Sequence, residues 1–319
     1  MKTHQQFAAD IISEVEKIII GKKDQVEIMI TAILSGGHIL LNDLPGSGKT
    51  TLVKTLSIAL GCDFRRIQFT PDLLPSDVIG MNIFNQKEGS FSFMQGPIHT
   101  NILLADEINR AIPRTQSALL EGMEECQVTV DGVSRPLPNP FLVMATQNPV
   151  ESESTFHLPV AQMDRFFVRL SLGYPTVEEE VEMLTKLGDG LPFEHIMQIS
   201  SPEEIVELQH GLKEIHVSEA SKNYIISLVH QTRNHPLLKS GASPRASRSL
   251  HQGSKAYAAI RGRKFVTPDD VQKIAVPVLA HRIQLMSEAR FKGKTEEDLV
   301  KEILRNTPVP PRKEELFDE

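Results

Sequence analysis

His38-Ile39-Leu40-Leu41-Asn42-Asp43-Leu44-Pro45-Gly46-Ser47-Gly48-Lys49-Thr50 decides the fold. A short apolar run ends in a glycine loop closed by Gly-Lys-Thr, and an apolar helical pattern over residues 50–60 follows at once. Strand, glycine loop and helix in that order make a phosphate-binding P-loop. Gly46 and Gly48 let backbone N–H groups converge on phosphate oxygens, and the helix N-terminus adds the positive end of its dipole. Lys49 would reach the β- and γ-phosphates, and the Thr50 hydroxyl would ligate Mg²⁺. The predicted nucleotide contacts are Pro45, Gly46, Ser47, Gly48, Lys49, Thr50 and Thr51. One departure is plain: Asp43 replaces the first glycine of the pattern. It stands where the strand ends rather than where phosphate comes closest, so binding should tolerate it.

A P-loop needs acids for magnesium and water. The apolar run 102–106 ends in Asp106-Glu107. Asp106 would hold Mg²⁺ through water, and Glu107 would polarise the attacking water. Alone, such a pair is an ordinary solvated strand end; beside a P-loop it reads as chemistry. The run 141–146 leads to Asn148-Pro149. Asn-Pro by itself signals a turn, but an Asn at a buried strand tip can hydrogen-bond a γ-phosphate or the lytic water.

Outward from these motifs, residues 38–42, 65–69, 102–106, 141–146 and 166–170 are short and almost continuously apolar. Such runs suit strands buried on both faces of a parallel sheet. Helical patterns between them, at 50–60 and 114–125, give a βαβ rhythm with helices on both faces of the sheet. Two hairpins interrupt it, one around Asp131-Gly132 and a looser one joining 81–84 to 91–93. After Tyr174-Pro175 only helices are expected, with capping pairs at Thr176/Glu179, Ser201/Glu204 and Thr295/Asp298. This predicts an α/β nucleotide-binding domain over residues 1–175 and a small all-helical domain over 176–319.

The composition narrows the function. Forty per cent apolar residues can build a core, which excludes disorder as the main state. A 5% aromatic content without Trp is lean for a groove built on ring stacking. With 34 basic against 41 acidic residues the formal charge is −7, which disfavours a dedicated nucleic-acid binder. The basic run Arg261-Gly262-Arg263-Lys264 accordingly reads as a solvated connector. Cys62 and Cys126 form neither a disulfide framework nor a metal-ligand spacing. A polar N-terminus, and no run near the ~18 apolar residues of a membrane helix, predict a soluble, cytoplasmic protein without membrane insertion.

Several of these segments carry a family resemblance. Ala105-Asp106-Glu107-Ile108-Asn109-Arg110-Ala111, Thr115-Gln116-Ser117-Ala118-Leu119-Leu120, Ala145-Thr146-Gln147-Asn148-Pro149 and Leu158-Pro159-Val160-Ala161-Gln162-Met163-Asp164-Arg165-Phe166 closely resemble the MoxR group of AAA+ ATPases. The likeness runs from about Ile20 to about His281, and departs at Asp43 and at Val160, where the group often has Glu. It implies a P-loop NTPase core with a helical lid, hydrolysing ATP with Mg²⁺ in a ring, a hexamer by likeness. By the same resemblance Asn148 is the sensor-1 residue, Arg165 the arginine finger, and Arg245 in Gly241-Ala242-Ser243-Pro244-Arg245 the sensor-2 residue. Gly21 falls where the family packs adenine, and the hairpins match two insertions of this branch. Relatives act as chaperone-like remodelers of protein clients, with partners that carry a von Willebrand factor A domain.

Without that likeness Arg165 would be a surface ion pair. Arg245 falls in the first turn of a helix, where the dipole is already positive, so it implies an anionic partner. Two other functions fit the motifs less fully: a nucleotide-gated binding module with slow hydrolysis, and a DNA motor of the same superfamily.

Overall fold

The computed structural model describes residues 2–43, 46–87, 89–148, 156–187, 190 and 193–310. Helices α1 (His4–Glu16) and α2 (Lys23–Leu34) precede β1 (Ile39–Asn42), which feeds α3 (Lys49–Leu60) through the glycine loop. Then come β2 (Phe64–Gln68), α4 (Pro75–Ile79) and the hairpin of β3 (Gly80–Asn85) with β4 (Ser90–Gln95). β5 (Ile102–Asp106) leads to α5 (Pro113–Glu125), followed by the hairpin of β6 (Gln127–Val130) with β7 (Val133–Pro136). β8 (Leu142–Gln147), α6 (Val160–Met163) and β9 (Val168–Leu170) complete the sheet.

Five strands pair in parallel in the order β2-β5-β8-β1-β9. Every residue of β5 is buried. Successive strand side chains point to opposite faces, so both faces are covered, as the unbroken apolar run requires. The register aligns Gln68 with Asp106 and Asn42 with Gln147. The carboxyl ends of four strands therefore meet at one rim, where open α/β sheets bind ligands.

Five strands were expected and five are found, with ends displaced by up to two residues. β9 starts late because the Phe166 N–H closes the turn after α6 on Met163 O (3.0 Å). In the β6–β7 hairpin, Asp131 (φ 50°) and Gly132 (φ 78°) both take the left-handed geometry that its tight turn requires. The other hairpin leaves Phe84 and Phe91 exposed, ring against ring at 5.2 Å.

His38, just before β1, is a buried tie between elements. Its Nε2 meets Met123 O at 3.0 Å, and its Nδ1 accepts the Val143 N–H at 3.0 Å. That pairing fixes a neutral ring with the proton on Nε2. Burial pushes its pKa down to about 4.

The chain divides into two compact units, Gln6–His210 and Gly211 onward, the latter taking in Thr3–Gln5. The division lies at Gly211, not near residue 175. Residues 197–200 belong to the first unit because the Ile199 and Ser200 N–H groups donate to Ala59 O and the Met197 N–H to Glu14 Oε2. Its last helix is held there by Gln209 Nε2 on Ile33 O (2.8 Å).

The second unit is built on α9 (Glu219–Asn234), α10 (Pro244–Ile260), α11 (Pro268–Leu279) and α13 (Glu296–Asn306); α7 (Val177–Leu187) and α8 (Pro202–Gly211) precede it, and the short α12 is Ser287–Phe291. It also has a two-stranded ribbon, β10 (Leu238–Ser240) with β11 (Gln284–Leu285), outside the all-helical expectation. Charge separates with the units. Residues 1–210 carry 15 basic and 28 acidic side chains, net −13, whereas residues 211–319 carry 19 and 13, net +6.

Candidate functional site

A cavity of about 410 Å³ opens at the strand-end rim. It is lined by Gly46–Thr51 of the loop and α3, by Arg66 and Gln68 of β2, by Asp106 and Glu107, and by Thr146, Gln147 and Asn148. The sequence therefore folds Lys49, Thr50, Thr51, Asp106, Glu107 and Asn148 into one place.

Gly46 and Gly48 sit at φ 80° and 79°, and space stands open where a Cβ would be on either. The Ser47 hydroxyl is buried with no hydrogen-bond partner among the described residues. α3 begins at Lys49, so its unbonded first-turn N–H groups point into this cradle. An open glycine cradle, an orphaned hydroxyl, a helix N-terminus, one lysine and two carboxylates fit a polyphosphate with a hard cation. Pro45 lies outside the described residues.

Lys49 Nζ donates to Asp43 O at 2.9 Å. Partial burial pulls its pKa below the ordinary lysine value, while Asp43, Asp106 and Glu107 pull the other way. Asp43 explains its own departure from the glycine pattern. Its buried carboxylate accepts Ser171 Oγ (2.6 Å) and the N–H groups of Leu172 (2.8 Å) and Gly173 (3.0 Å). It ties the end of β1 to the end of β9 and leaves phosphate to the glycines.

The acids are held from the neighbouring strands. Thr146 Oγ1 donates to Asp106 Oδ1 at 2.6 Å and accepts the Glu107 N–H at 2.8 Å. Asp106 Oδ2 accepts both Nε (3.1 Å) and Nη2 (2.7 Å) of Arg66. Glu107 Oε2 accepts Gln68 Nε2 (2.7 Å) and Arg110 Nη1 (2.9 Å). Glu107 has φ 55° and ψ 50°, left-handed geometry that costs a non-glycine residue on the order of 1 kcal/mol. The Thr146 hydroxyl holds that backbone.

Sequence reasoning missed Arg66, Gln68, Arg110 and Thr146. A usable signal existed for two of them. Arg66 and Gln68 alternate in the β2 run, so they share one face, and β2 pairs with the strand that ends in the acids.

The remaining predicted residues do not line the cavity. Gly21 (φ 73°) packs against Glu179, whose carboxylate a Cβ there would overlap. Arg165 pairs with Glu124 Oε2 at 3.1 Å. Arg245 lies in the second unit, in the first turn of α10, with its N–H on the Ser243 hydroxyl (3.1 Å).

Residues 38–168 match the family model described as ATPase family associated with various cellular activities (AAA), and residues 230–303 match the AAA lid domain. The chain is 42% identical to Chaperone MoxR1 of Mycobacterium tuberculosis, covering 94% of this chain and 81% of that one. It is 46% identical to the uncharacterized protein YeaC of Bacillus subtilis, covering 94% and 93%. A Cytophaga hutchinsonii protein, whose crystal structure carries a provisional ATPase assignment, aligns with TM-score 0.90 and 40% identity over 97% and 96% of the two chains.

Proposed function

The chain belongs to the MoxR group of AAA+ ATPases, and on that premise we propose that it hydrolyses ATP with Mg²⁺ in an oligomeric ring to remodel or mature a protein client. One observation carries the reading: Lys49, Asp106, Glu107 and Asn148 line a single cavity beside an open glycine cradle. ATP supplies the transferable phosphoryl group, and Mg²⁺ neutralises charge on its oxygens.

The rest is done by side chains of this protein. Lys49 and the loop N–H groups bind the β- and γ-phosphates. Thr50 and Asp106 hold the metal, Asp106 through water. Asn148 orients the γ-phosphate or the water. Glu107 polarises a water whose oxygen attacks the γ-phosphorus as the bond to the ADP oxygen breaks. Arg165 stays outside its own cavity, which supports action on a nucleotide held by a neighbouring copy. Arg245 contributes a further cation, and Gly21 admits the adenine. A von Willebrand factor A domain protein is the proposed partner, and the cytoplasm the proposed location. No helix among the described residues is long and apolar enough to cross a membrane.

Phosphate release and nucleotide binding, measured side by side, test this. Glu107→Gln should bind ATP and keep it, with turnover reduced by at least 10²-fold, whereas Lys49→Ala should lose most affinity. Wild-type turnover by Glu107→Gln would place the lytic group elsewhere.

A further inference from the structure

The cavity holds one cation that neither the phosphate cradle nor the hydrolytic step uses. Arg66, on the edge strand β2, directs two N–H groups at one oxygen of Asp106. The other oxygen is taken by the Thr146 hydroxyl. Asp106 is 9% exposed, and a carboxylate so enclosed needs a countercharge. Arg66 provides one from a half-exposed side chain, which leaves it free to move.

We propose that Arg66 is a resident counter-cation that occupies Asp106 in the metal-free chain and yields it when Mg²⁺ is held there. The proposal rests on the Mg²⁺–ATP reading above. Two cations on one carboxylate repel strongly at a few ångströms. Arg66 and the hydrated metal therefore compete for Asp106, and Arg66 sets the metal concentration at which the site becomes competent.

Arg66 also reaches the second acid. Its Nη2 donates to Gln68 Oε1 at 2.9 Å, which leaves the Gln68 NH₂ facing Glu107 Oε2 at 2.7 Å. The orientation of an amide is set by such partners. Arg66 is thus a positioning residue that touches Asp106 directly and reaches Glu107 through Gln68.

The test is binding of a fluorescent ATP analogue by the full chain at varied Mg²⁺, with thermal melting as a check on folding. In Arg66→Gln the half-saturating Mg²⁺ concentration should fall by about tenfold, because a charge-assisted competitor at a half-exposed site is gone. Arg66→Lys keeps the charge and should stay within about threefold of wild type. An unchanged Mg²⁺ midpoint in Arg66→Gln would overturn the competition, and so would an equal fall in both variants. If Arg66→Gln fails to fold, the Arg66→Lys midpoint decides: a fall of tenfold overturns the proposal and a value near wild type supports it. Wild-type binding that ignores Mg²⁺ altogether would instead overturn the ATPase reading and not the role of Arg66 alone.

Discussion

Asp43 is a departure from a glycine pattern in the sequence and a junction in the structure. Three donors from residues 171–173 converge on its buried carboxylate. Replacing it with the glycine that the motif prefers should leave the phosphate cradle intact yet strand the buried Leu172 N–H. The expected loss is roughly 2–4 kcal/mol, since charge-assisted bonds vanish and a buried donor goes unpaired. Urea unfolding of Asp43→Gly measures it, and unchanged stability would show that the β1–β9 tie is unimportant. The motif residues themselves were legible because glycine, lysine and paired acids at fixed spacing have few other uses. The partners of Asp43 were not, because they lie about 130 residues away in sequence and pair only once the sheet forms.

At the scale of elements, the strands were readable because a strand buried on both faces must be apolar throughout, as β5 is. The extent of the first unit was not readable. Residues 199 and 200 hold to α3 by backbone bonds, which leave no trace in side-chain pattern. Nor did sequence spacing reveal His38 as the link from β1 to α5 and β8.

Its chemistry gives a pH prediction. The folded pKa of about 4 lies below the ordinary 6.5, so the unfolded chain takes up the proton first as pH falls. The contribution of His38 to stability is complete above about pH 6.5 and is lost between there and pH 4, by up to roughly 3 kcal/mol. Chemical denaturation from pH 7 to 4 should show this slope in wild type and a shallower one in His38→Gln, which keeps a donor and an acceptor but cannot titrate. Parallel slopes would assign the acid sensitivity to other groups.

Whole-molecule behaviour is where the ring proposal is exposed to test. Arg165→Ala should bind ATP and hydrolyse it poorly, by roughly 10³-fold or more for an arginine finger. A Glu107→Gln copy has a dead site and an intact Arg165; an Arg165→Ala copy has the reverse. Mixed under conditions of subunit exchange, the two should regain measurable phosphate release. Verified exchange without recovery would exclude action between copies.

The division of charge between the units bears on how such mixing must be done. In the proposed ring, a unit at −13 would face one at +6 on the next copy with electrostatic attraction between them. That attraction reaches about 30 Å at 0.01 M salt and about 3 Å at 1 M. Ionic strength then becomes the handle on partnership. In dilute buffer neighbours should stay together through many turnovers, whereas a brief passage through concentrated salt should let copies trade places before dilution restores the assembly.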